Sequence, residues 1–386
     1  MSRNGHDRSM GTWALRADEA ENAILTRHLQ PLWLLPGTAL GVISWPPTAR
    51  DRAFARWHYW WQAHLLDCMV DAAVRAPNPE RRRRISAMIR THRIRNMGKW
   101  TNNYYDDMAW LALALERAGN LDGVPRRTKA IEALVDEIFN AWDHESGGGI
   151  PWRKKDDFFN TPSNGPAAIL LARVGKLNRA EETADWINGR LRDPERGLIY
   201  DGVRGDGKFV RNIYTYCQGV VLGAETELAI RTGDVRHARR VQELVGAVAQ
   251  HLAPRGIIKT GGGGDGGLFQ GILARYLALV ATKLPTTSES NQQTRRIARG
   301  IVLRSAETVW RNHLDAPGGR CLVRIGRRLQ RTRMRGARRR KTRWCGEGVG
   351  SAGAGLVRST VRVDADGSRS ILRVVVATRP AVIRQV

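Results

Sequence analysis

Four stretches of this chain are apolar nearly all the way round, and they constrain the fold more than anything else in it. They are MAWLALAL (108–115), PAAILLA (166–172), GVVLGA (219–224) and GILARYLALVA (271–281). A helix with no polar face has to be surrounded by protein. The segments between them, such as RTKAIEALVDEIFNAW and RAEETADWINGRL, are charged on one side and apolar on the other. Buried and half-exposed helices that alternate along the chain predict two concentric helical layers. Helical spacing fits 13–30, 52–75, 79–95, 104–118, 124–140, 164–174, 178–191, 214–231, 235–251, 267–282 and 292–310. Strand-like alternation is confined to GLIYDGV (197–203) and RGIIKT (255–260). Loops rich in Gly, Asn and aromatics lead into the apolar helices, so they should gather at one end and form a cleft there. Pro166 fits a first helical turn, with Asn164 as its cap.

The formal charge of +26 raises the question of a nucleic-acid partner. Its distribution argues against one. From Arg320 onward there are 18 Lys+Arg and 3 Asp+Glu, so more than half of the excess lies in the last 67 residues. No run of 18 apolar residues predicts a membrane span. The N-terminus lacks the apolar core of a secretory signal, so a cytoplasmic protein is expected. Cys68, Cys217, Cys321 and Cys345 form no metal-binding spacing and read as reduced thiols. No cofactor or metal is expected, and a monomer is.

The chemistry concentrates where Asp106 and Asp107 stand directly before the run 108–115. With Asn103 as N-cap, Asp106 falls at the third helical position, where an acid satisfies free N–H groups. One such aspartate is a capping device. A second is harder to place, because neighbouring helical residues point roughly 100° apart. Two carboxylates close together in a dry site split their pKa values, one ionised and one protonated. Glycoside hydrolysis needs such a pair, and adjacent residues could hold the carboxyls about 5–5.5 Å apart, the spacing of a retaining mechanism. The spacing leaves both readings open. Seven of 13 tryptophans lie between 57 and 152. Trp110 reads as core, whereas Trp61 and Trp152 are candidates to stack on a sugar ring. Asn164, Tyr216 and Gln218, at helix entries, are candidates to bind sugar hydroxyls, as are Asn103 and Tyr105 beside the pair. GGGGDGG contains a formal GxGxxG at Gly261, Gly263 and Gly266 but no surrounding βαβ unit, so Asp265 is expected to face a sugar and not a nucleotide. Asp156 and Asp157 read as a salt-bridged loop, and His64 as a hydrogen-bonded wall residue.

NNYYDDMAWLALALERAG resembles the signature of glycoside hydrolase family 76, the endo-α-1,6-mannanases. The resemblance continues through HYWWQAHLLDCMVDA (58–72), GGGIPW (147–152), NTPSNGPAAILLAR (160–173), YTYCQGVVLGAETELAIRTGD (214–234) and GGGDGGLFQGILARYLALVA (262–281). It covers roughly residues 25 to 315, and the wording is most like that of actinobacterial members. It implies an (α/α)6 barrel and a retaining mechanism, with Asp106 as nucleophile and Asp107 as general acid/base. It also implies a mannan-type polysaccharide or lipoglycan as substrate. The rivals are a helical-barrel glycosidase of other sugar specificity and a non-catalytic or vestigial carbohydrate-binding protein. After HLDAPGG (313–319) the text turns Arg- and Gly-rich and loses helical period. The expectation is a glycosidase domain over 1–319 and a basic, irregular or out-of-frame tail over 320–386, with the final barrel helix missing or replaced.

Overall fold

In the computed structural model of the chain, the backbone is described for residues 3–261, 263–316 and 319–323. Twelve α-helices occur among them: α1 (Arg3–His28), the single turn α2 (Ala49–Arg52), α3 (Tyr59–Arg75), α4 (Pro79–Arg95), α5 (Tyr105–Ala118), α6 (Thr128–Phe139), α7 (Thr161–Arg173), α8 (Leu177–Leu191), α9 (Thr215–Thr232), α10 (Val235–Ala247), α11 (Gly266–Lys283) and α12 (Glu289–Arg311). The odd-numbered helices α3 to α11 pack side by side as an inner row, and each packs on the outer helix that follows it. The inner helices run parallel, so their N-termini share one end. Helix α1 joins the outer layer, tied by Arg75 and Arg81 to Asp18 and Glu21, and by Arg16 to Glu307 of α12. This is an (α/α)6 barrel, with five inner and six outer long helices among the described residues. No helix among them is long and apolar enough to cross a membrane.

The apolar runs are where the layering demands them. Every residue from Met108 to Leu115 is buried, as is every residue from Thr161 to Ala172. Helix α9 is buried from Cys217 to Ala229. Helix α11 departs from the expectation of full enclosure: Ile272, Leu273, Tyr276 and Leu277 are buried, but Leu279 and Ala281 are half-exposed. Helix α9 flanks it on one side, and no further inner helix follows among the described residues. Small residues let the inner helices approach closely. A Cβ on Gly219 would lie 2.9 Å from Leu273 Cα, so α9 and α11 meet backbone to backbone.

The sheets are small and serve the loops: β1 (Leu29–Gln30) with β2 (Leu40–Gly41), the antiparallel order β3 (Phe158–Asn160), β4 (Gly202–Arg204), β5 (Phe209–Val210), and β6 (His313–Ala316) with β7 (Gly319–Val323). The expected strand over 255–260 is absent, that segment being turn and irregular backbone, and only the end of 197–203 is strand. The helix expected over 52–75 begins at Tyr59, because Phe54 and His58 have φ of 52° and 44°, which a helix cannot hold. Asn160, not Asn164, caps α7 by accepting Ser163 N–H at 3.1 Å, which puts Pro166 inside the helix. Strand β7 crosses the boundary expected at 319/320. The tail beyond 323, and with it the expectation of a missing or replaced final helix, lies outside the described residues.

Candidate active site

Among the inner helices only α5 carries acids in its first turn. Helix α5 starts at Tyr105, so Asp106 and Asp107 occupy its second and third positions, one earlier than a cap at Asn103 would give. Their environments differ. Asp106 Oδ1 accepts the Asp107 backbone N–H at 2.9 Å, and its Oδ2 accepts Trp152 Nε1–H at 3.1 Å. Asp107 is buried and accepts Asn102 Nδ2–H at 2.6 Å through Oδ2. Burial pushes Asp106 up to about 6 against the pull of those two donors. Burial and then the neighbouring Asp106 charge push Asp107 well above the usual carboxylate range. The two carboxyls therefore differ in the direction that matters, with Asp106 the readier to ionise.

Backbone pairing aims the loop that carries Trp152. Tyr105 N–H donates to Trp152 O at 3.0 Å, and Trp152 N–H donates to Phe158 O at 2.7 Å. Tyr104 packs edge-on against the Trp152 ring at 5.2 Å. From α3, Trp61 is buried, stacks on His58 at 4.5 Å and donates Nε1–H to Asp265 Oδ1 at 2.8 Å, so the first and last inner helices join over the cleft. Tyr216 lies face to face with Phe269, ring centroids 3.9 Å apart. Burial raises its hydroxyl well above the usual phenol range, and the nearby charges of Asp201 and Asp106 add to that.

Three expected contacts are corrected: Asn164, Gln218 and Trp61, the last only 2% exposed and so without a ring face for a sugar. Asn164 and Gln218 are fully buried and their amides are spent on backbone. Asn164 Oδ1 accepts Ile150 N–H and its Nδ2 donates to Ile150 O and Asn160 O, each at 2.8 Å. Gln218 does the same to Ile199 N–H and O, with a further bond to Tyr214 O at 3.0 Å. Gln62 of α3 repeats the device on Gly41. Each amide sits at the fourth position of its inner helix and locks one loop residue as a strand neighbour would. Neither Asn164 nor Gln218 has a hydrogen-bonding atom left for a sugar. Asn103 is exposed, and the amide that reaches the pair belongs to Asn102. The Tyr105 phenol feels Lys154 and Glu137, which pair at 2.8 Å, placing it toward α6.

Asp201, unremarked in the sequence, stands beside the pair: burial and then the charge of Asp106 push it up to about 6. Its signal was an acid inside the apolar stretch GLIYDGV. Asp156 and Asp157 are salt-bridged to Arg153 at 2.6 Å and Arg204 at 3.2 Å. His64 is enclosed between Trp60 and Trp110, and its Nε2 has no partner, so the hydrogen-bonded wall is corrected. Burial and then Arg275 bring His64 down to about 3. Cys68 and Cys217 are free thiols.

The model of the family described as Glycosyl hydrolase family 76 matches residues 16–323. The α-1,6-mannanase GH76A of Salegentibacter sp. HEL1_6 superposes with a TM-score of 0.70 at 28% identity, over 80% of this chain and 90% of that one. An inactive variant of that mannanase, with two consecutive aspartates replaced by asparagine, was solved with α-1,6-mannotriose and matches equally well. Mannan endo-1,6-alpha-mannosidase DCW1 of Saccharomyces cerevisiae is 27% identical over 267 residues, 60% of this chain. The chain spans about three-fifths of that relative's length, 59%.

Proposed function

The chain belongs to glycosyl hydrolase family 76, and from that premise we propose that it hydrolyses α-1,6-mannosidic linkages of a mannan-type glycan with retention of configuration. The observation that supports this reading most is the split pair at the start of α5. Asp106, held through both oxygens by the Asp107 N–H and Trp152 Nε1–H, is oriented as a nucleophile. Asp107 holds its proton more tightly and is the general acid. Asp106 attacks the anomeric carbon while Asp107 protonates the departing glycosidic oxygen, leaving a glycosyl ester on Asp106. Asp107, now ionised, takes a proton from water, which attacks the ester and regenerates both groups. Five helix N-termini aimed at this end favour the carboxylate forms electrostatically. Trp152, the Tyr216–Phe269 stack and Asp201 offer aromatic faces and acceptors for sugar rings.

The test is incubation of purified protein with an α-1,6-mannan, an α-1,2/α-1,3-mannan and a β-1,4-mannan, with products followed by chromatography and anomeric configuration by proton NMR. Mannooligosaccharides of α configuration from the first substrate alone are expected. Absence of cleavage with measurable mannooligosaccharide binding would favour the non-catalytic alternative.

A further inference from the structure

At the end of the barrel away from the cleft, where α9 turns into α10, Glu181, Asp234 and His237 bring three ligand atoms within 4.8 Å of one another. Among the described residues no other such trio of His, Cys, Asp or Glu occurs. Asp234 caps α10, accepting Arg236 N–H at 2.8 Å, and His237 follows three residues later on the same face. The His237 ring is wholly buried, and its Nδ1 is 2.6 Å from Glu225 Oε2 of α9. With its proton on Nδ1 toward Glu225, as behind metal-bound histidines, the ring would present an Nε2 lone pair to an ion. Nε2 lies 3.5 Å from Glu181 Oε1. The gap is long for a charge-assisted N–H···O bond, which runs about 2.7–2.9 Å. It fits two donors sharing one ion, since bonds of about 2.0–2.1 Å in a tetrahedron set their donors roughly 3.3–3.4 Å apart. Arg240 is held by Asp185 at 2.6 Å and Glu225 at 3.3 Å, and no arginine here is paired with Glu181. Arg236 holds Asp234 Oδ2 at 2.8 Å, so an ion bound here takes the place of that arginine on Asp234.

We infer that Glu181, Asp234 and His237 form a binding site for a divalent transition-metal ion of the zinc class, clipping α8 to α10 with Glu225 behind the histidine. One imidazole and two carboxylates suit Zn²⁺ and leave a fourth position for water. The site is remote from Asp106 and independent of the hydrolytic reading. The experiment uses untagged full-length protein stripped with EDTA and titrated calorimetrically with Zn²⁺, Co²⁺ and Mg²⁺, alongside Glu181→Gln with Asp234→Asn. Asparagine caps a helix as well as aspartate, so the double variant should keep its fold, checked by circular dichroism. Expected are one Zn²⁺ per chain, a higher melting temperature with Zn²⁺, a visible Co²⁺ absorption band, and at least a tenfold weaker binding in the variant. No binding, or equal binding by the variant, would overturn the site and leave an ion-pair network.

Discussion

At the scale of single residues, what distinguishes Asp106 from Asp107 is their donors and not their identity. Asp106→Asn should lower turnover on an α-1,6-mannan by at least 10³-fold, because an amide forms no glycosyl ester. Asp107→Asn should do so too, but lose less on a substrate with an activated leaving group, measured as initial rates. The rate should rise with pH through about 6 as Asp106 ionises, then fall where Asp107 loses its proton. A profile flat from mildly acidic to neutral pH would count against a coupled pair. Stability carries the opposite signature. Asp106, Asp107 and Asp201 have folded pKa values above their unfolded ones. They hold more protons folded than unfolded, so the site weakens the fold as pH climbs from about 4 through about 6. Asp106→Asn should therefore stabilise the inactive protein at pH 7, by on the order of 1–3 kcal/mol, and by much less at pH 4. Chemical denaturation at the two pH values decides it. The pair itself was legible in sequence because two charges before a buried run need a reason. Asn102 was not, since TNNYYDD does not say which asparagine turns inward. Nor was Asp201, whose proximity to Asp106 arises from a chain excursion of nearly a hundred residues.

At the scale of elements, all-round apolarity marked the inner layer correctly for α5, α7 and α9, because nothing but enclosure explains such runs. It missed α3, whose Gln62, His64 and Asp67 are polar yet buried. A buried polar side chain looks like an exposed one in sequence; only its partners tell them apart. The same blindness put Asn164 and Gln218 in the cleft, when their amides brace Ile150 and Ile199. Packing between inner helices makes a sharper claim. Gly219→Ala would press a methyl into the Leu273 backbone, which neither helix can yield cheaply. A loss of about 1–3 kcal/mol is expected from overpacking. Exposed Gly246 of α10 has nothing within 4 Å of its would-be Cβ. Gly246→Ala should be neutral or stabilising by up to about 1 kcal/mol. Urea denaturation of the two variants side by side checks the contrast, and equal effects would refute the close approach.

At the scale of the whole molecule the two ends of the barrel hold their charges differently. The cleft end carries Asp106, Asp107 and Asp201 close together, and at the other end ion pairs link all five inner helices. Arg275 of α11 pairs with Asp67 at 3.0 Å and Asp71 at 2.7 Å of α3. Arg117 of α5 pairs with the same two aspartates. Arg173 of α7 pairs with Glu116 of α5 at 3.7 Å and Glu227 of α9 at 2.7 Å. Burial alone would raise Asp67, but Arg117 and Arg275 overrule it and hold it at about 2. The stability from Asp67 is thus present above its unfolded value near 4 and lost as pH falls toward about 2. Arg117→Met leaves buried Asp67 and half-buried Asp71 short of a partner and should cost about 3–5 kcal/mol at pH 7. The loss should shrink in acid, as thermal melts from pH 7 to pH 3 would show. Apart from this belt, the Arg16–Glu307 pair and the bond over the cleft, each helix meets mainly the next one or two along the chain. Trp61 and Asp265, by contrast, are 204 residues apart. Neighbour contacts form quickly, while distant ones await the closure of a long loop. Folding then resembles the threading of a necklace, hairpin after hairpin, with Trp61–Asp265, Arg275–Asp67 and Arg16–Glu307 as its clasps. A chain whose clasps have not met can already hold Asp106 beside Asp107, yet it lacks the far wall that makes a cleft around them.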